Sequence, residues 1–187
     1  MHDFPHFALG SGEPETDEQY LVHFEKPHFI AYVPPGCSGL RILPLGPVDS
    51  PNPAKTEHLA PTIVAAARYY LTQVGYVPEP GHPSLQELAV QLAAKASGSE
   101  VFKVPTYLLC DHFEKPGDST TGTSYVVRTI APLFFARVNP TFDAFEVIEW
   151  LAGLPPEVES APRIGLDFLK LYAADQTMTD QSGVGPV

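Results

Sequence analysis

The sequence predicts an α+β fold: two short antiparallel β blocks, open to being one sheet, with an inserted helical hairpin and two C-terminal helices. Three observations predict it. Apolar residues alternate within 20–33, 101–113 and 125–138, the period of half-buried strands. Between the β blocks the period becomes that of an amphipathic helix, twice in succession. Finally, one five-residue string occurs once in each block, as His23-Phe24-Glu25-Lys26-Pro27 and His112-Phe113-Glu114-Lys115-Pro116. Each copy follows a Tyr-Leu apolar run, so the strings mark a weak internal pseudo-repeat of two similar hairpins.

In chain order, residues 1–18 read as a flexible acidic arm, because Ser11 to Glu18 is polar, turn-rich and without period. Phe4 and Phe7 are the residues able to pin it to the domain or to a partner. A single domain is expected over 19–174. In its first strand Tyr20, Val22 and Phe24 share one face, while Leu21, His23 and Glu25 share the other. Pro27 interrupts the ladder before Phe29 to Val33, so 20–33 is a hairpin or a kinked long strand. After the turn signal at Pro34-Pro35-Gly36, Leu40 to Leu43 is a short third strand.

Pro61 suits a first helical position, and Ile63, Val64, Ala67, Leu71 and Val74 form a stripe that ends at Gly75. Ser84-Leu85-Gln86-Glu87 is a capping box opening a second helix, whose buried face is Leu85, Leu88, Ala89, Leu92 and Ala96. Ala65, Ala66, Ala93 and Ala94 let the two helices approach closely. The second block starts with a strand over 101–113 and continues, after a loop at 117–122, with a long strand over 125–138 broken at Pro132. Asn139 and Pro140 then read as the cap and first residue of a third helix with Phe142, Phe145, Ile148 and Leu151 inward. A fourth helix is expected from Pro162 to about Ala174, and 175–187 as a flexible tail.

A length of 187 residues suffices for a real core, and no apolar run approaches a membrane span. Met1 to His6 lacks a basic region followed by an apolar one, so no signal peptide and a cytoplasmic location, or incorporation into an intracellularly assembled particle, are expected. A net charge of −11 argues against a phosphate-binding surface. It favours a protein partner or self-assembly over nucleic acid or membrane. The 21 prolines are scattered singly or in pairs, which means stiff connections and interrupted strands, not a polyproline linker. Cys37 and Cys110 are read as free thiols, with one bridge left open for an oxidising compartment.

The chemistry-bearing candidates come from the repeated string. Residues at i and i+2 share a strand face, so each copy presents an imidazole beside a carboxylate. Converged, His23, Glu25, His112 and Glu114 would make a ligand set for a divalent metal such as zinc, manganese or iron. The competing reading is an aromatic inner face opposite an ordinary polar outer face, stopped by proline. Cys110 lies two residues before His112, a thiol beside a base. No nucleophile elbow, Walker loop, dinucleotide fingerprint or zincin motif occurs. The expected function is therefore a non-enzymatic protein–protein interaction module: a subunit of a viral or phage-type assembly, or an intracellular adaptor or inhibitor. A metal-dependent enzyme built on the two strings is the alternative.

Overall fold

The computed structural model describes residues 5–12, 18–32, 39–46, 57–98, 104–112, 122–130, 133–151 and 165–170. Its strands are β1 (Phe7–Ser11), β2 (Tyr20–His23), β3 (Phe29–Tyr32), β4 (Arg41–Pro44), β5 (Ser97–Gly98), β6 (Tyr107–His112), β7 (Thr123–Arg128), β8 (Phe134–Val138) and β9 (Phe145–Trp150). Its helices are α1 (Ala60–Gln73), α2 (Leu85–Ala94) and a short α3 over residues 165–170. No helix among the described residues is long and apolar enough to cross a membrane.

The α+β class holds, but the strands do not separate into two blocks. They form one sheet in the order β5-β4-β3-β2-β1-β6-β7-β8-β9, antiparallel except for the two-residue β5 beside β4. The strand that joins the halves is β1, which pairs with β2 on one side and β6 on the other. Residues 7–11 are therefore not part of a flexible arm. Alternation of Ala8 and Gly10 with Phe7 and Leu9 is short, and the acidic stretch after it masked a central strand. Gly10 is what permits the close β1–β6 approach: a Cβ there would lie 2.5 Å from the Cys110 sulfur and 2.6 Å from the Leu109 carbonyl oxygen.

The sheet curls strongly. In a flat sheet four strand spacings of about 4.8 Å each would separate β2 from β8. Instead Phe24, just past β2, stands 4.8 Å from Phe135 of β8 and 5.3 Å from Tyr125 of β7, centroid to centroid. The concave interior of this half-barrel is filled by Tyr20, Val22, Phe24, Ile30, Leu108 and Phe135, among others. Its convex face carries two helical covers. The α1–α2 pair lies over Leu21, Phe29, Ala31 and Ile42, and α3 places Leu169 over Tyr107, Leu109, Val126 and Phe134. With both faces buried, β2 has no polar side left, so the expected inner and outer faces become two inner ones.

Two local expectations change. Residues 125–138 are not one broken strand but the antiparallel pair β7–β8. The helix expected after Asn139 is instead the hairpin β8–β9. Asn139 does cap backbone N–H groups, but those of Asp143 and Ala144, both at 3.1 Å, which closes a loop. Phe142 has φ 56°, a left-handed conformation that stops a helix from starting there. A bulge in β9 then puts Phe145, Val147 and Trp150 on the α3 side and Ile148 and Leu151 on the concave side. Spacings of two and three imitate a helical period, while the aromatic and β-branched residues favour the strand.

The Ser84 capping box is present in full: the Ser84 hydroxyl accepts from the Glu87 N–H at 3.3 Å, and the Glu87 carboxylate accepts from the Ser84 N–H at 2.8 Å. Ser84→Ala is expected to cost about 1 kcal/mol, read as a Tm lowered by roughly 2–4 °C. Thermal melts of both proteins check it.

Candidate binding groove

The four candidate ligands meet different fates. His23 ends β2 on the convex face, only 4% exposed, between Phe7 and Phe29 at ring distances of 5.0 and 4.7 Å. Its Nδ1–H donates to the Pro27 carbonyl at 2.9 Å, so the lysine-proline end of the string folds back to hold its own histidine. Burial lowers the His23 pKa, against the Pro27 bond and the Glu25 charge, which raise it. His23 is thus an aromatic-cluster residue and not part of a polar outer face. Glu25 is exposed and reaches His6 Nδ1 at 3.0 Å.

In the second string His112 ends β6 and places Nδ1 3.3 Å from the Phe7 carbonyl oxygen. Glu114 lies outside the described residues, as do Phe113, Lys115 and Pro116. The two strings therefore bring their histidines to the same residue of β1, one to the Phe7 ring and the other to its carbonyl. Among the described residues no group of three or more His, Cys, Asp or Glu side chains is placed to hold a metal ion.

Cys110 faces the concave interior, fully buried, and burial pushes its thiol well up, with the Asp111 charge adding to the effect. It behaves as a small core residue behind Gly10. Cys37 lies outside the described residues. Asp111 accepts from the Ser124 hydroxyl at 2.6 Å, while burial raises its pKa.

The surroundings of Phe7 form a groove of about 730 Å³ that the sequence did not disclose. One wall is a second face of α1, with Pro61, Ala65, Arg68 and Thr72 spaced by four, three and four residues. The buried face of α1 (Ile63, Ala66, Ala67, Leu71) is a separate stripe. Ala65, expected at the helix–helix contact, is exposed here, and its small side chain leaves the groove open. The floor and far wall come from His6 and Phe7 at the start of β1 and from His112. Tyr69 packs on Phe7 at 5.7 Å, and burial pushes its phenol up to about 12, so it stays neutral. A second cavity of about 290 Å³, lined by Ser11, Gln19 and Asp111, shares Gln73 with the first.

Sequence reading missed His6, Arg68 and Tyr69. The signal available was the second stripe on α1, which is legible only once β1 is known to be a strand beneath it. The fold and site define an α+β protein with a curled antiparallel sheet and a groove on its convex side. Comparison with protein-family models, curated proteins and solved structures returned no match.

Proposed function

We propose that this chain is a non-enzymatic interaction module, an assembly subunit or an adaptor or inhibitor, that docks a protein partner along β9. The observation that carries this reading is the position of β9. Among the described residues it is six residues long and ends the sheet, whereas the opposite end is the two-residue β5. A long antiparallel edge is a ready template for an added strand, with main-chain hydrogen bonds giving affinity and side chains giving choice.

The side chains of β9 favour a different chain over a second copy. In the symmetric antiparallel self-pairing that matches all six residues of β9, Phe145 meets Trp150 and Glu146 meets Glu149 of the other copy, twice. Like charges directly opposite are destabilising. An extended segment bearing Lys or Arg has no such conflict, and the net charge of −11 steers it inward. Two groups that could otherwise serve chemistry have structural roles: His23 is bonded to Pro27 and Cys110 is buried.

The test is photo-crosslinking in an extract of the cells that make the protein, with the crosslinker in place of the exposed Glu146 or, for comparison, Lys170 on α3. A partner trapped from position 146 and not from 170, and lost in the presence of excess competitor peptide of basic, extended sequence, is the expected outcome. A chain that traps nothing at 146 and turns over a small molecule instead removes the reading.

A further inference from the structure

We infer that the groove between α1 and Phe7 is a binding site for a small amphipathic anion, a molecule with an apolar body and one acidic group such as a carboxylate. This is independent of any partner at β9. At about 730 Å³ the groove has the size of a small-molecule site. Phe7, Val64 and Tyr69 give it apolar and aromatic walls, onto which an aliphatic or aryl body fits.

Charge selects the other end of the ligand. Acidic residues outnumber basic ones 22 to 11 in the chain, yet among the described residues no Asp or Glu lines the groove. Its charged and ionisable lining is Arg68, His6 and His112. Glu25 touches His6 from outside the lining, at 3.0 Å, and orients that ring. An acidic group near Arg68 gains a charge-assisted bond, with the Gln73 and Gln86 side-chain amides available as further donors; the Thr72 hydroxyl is already spent on the Arg68 carbonyl at 2.9 Å. A neutral amphiphile fills the same walls without that bond. A cation meets Arg68 and is repelled.

The experiment titrates the full chain with the fluorescent sulfonate 1-anilinonaphthalene-8-sulfonate and then displaces it with decanoate or decanol. Saturable binding is expected, displaced at least about tenfold more effectively by decanoate than by decanol. Arg68→Glu is expected to weaken the probe about tenfold or more, Arg68→Gln less, and Ala65→Trp to block it by filling the groove. Both positions are exposed, so circular dichroism and Tm should match wild type, and Lys170→Glu on α3 should bind normally. Absence of saturable binding overturns the inference. So does binding that survives both Arg68→Glu and Ala65→Trp, or equal displacement by decanol and decanoate.

Discussion

Phe24→Ala is expected to lower the unfolding free energy by about 3–5 kcal/mol, the cost of deleting a large buried aromatic ring. Phe24 is 2% exposed and packs at a tilt against both Phe135 and Tyr125. Those partners lie four and three strands away across the curl, so the ring fills the space in which the two limbs of the sheet meet. Truncation leaves a cavity that the hydrogen-bonded strand ladder on either side keeps from collapsing. Urea unfolding measures it, with Glu25→Ala, one residue on and exposed, expected to stay within about 0.5 kcal/mol. A loss below about 1 kcal/mol for Phe24→Ala would mean that the sheet does not close around this ring.

Acid is expected to destabilise the protein from about pH 6.5 downward. Two imidazoles, His23 and His28, are buried, and burial lowers both from an ordinary value of 6.5. His28 sits 3.5 Å from Glu149, whose charge opposes the shift, and Lys26 adds to it. Around His23 the Pro27 bond and Glu25 oppose the shift, and His28 and His6 add to it. The sign follows from proton uptake. Below 6.5 the unfolded chain binds protons that the folded chain still refuses, so stability is full above 6.5 and is lost as pH falls. Each imidazole contributes a slope of about 1.4 kcal/mol per pH unit between its unfolded and folded pKa. Urea midpoints from pH 8 to pH 5 check it. His23→Gln, which keeps a donor for the Pro27 carbonyl, should flatten the acid limb by up to about half. An identical limb in that variant would assign the effect to other groups.

His28 has a second consequence. It immediately precedes β3 and its partner Glu149 lies on β9, so this contact ties the two limbs of the half-barrel near its open side. Removing the pair, as in His28→Ala, and removing the Phe24 ring loosen the same closure from different directions. The two perturbations should therefore be non-additive, as changes at residues sharing a cavity are.

Local rules were enough where local chemistry decides. Ser84 and Glu87 satisfy each other's backbone N–H groups within one turn, so the start of α2 was readable from four residues. Pro61 and Gly75 bounded α1 for the same reason. The β2 alternation was also readable, and Tyr20, Val22 and Phe24 do share a face. The same alternation misjudged His23, because the polarity of a strand face depends on what is laid over it. The α1–α2 pair covers that face, and a histidine whose Nδ1–H finds a carbonyl can be buried there.

The β9 reading failed for a different physical reason. Its bulge breaks the period of two, and a broken strand period with aromatic spacings of three resembles a helix until the β8 register is known. In the groove, Arg68 is the one charged residue of α1, and nothing within the helix itself marks it as part of a site. It gained neighbours only when β1 brought His6 and Phe7 beneath α1, and β6 brought His112 from more than forty residues further along the chain.

By itself the sequence determined the mixed class, the helix pair, the hairpin strands and the repeated string, because each rests on contacts within a few residues. Tertiary structure alone decided that β1 unites the strands into one sheet, that the sheet curls around Phe24, and that both histidines of the repeat arrive at Phe7. Those outcomes depend on long-range pairing and on the room a glycine leaves at position 10, and no local periodicity encodes either.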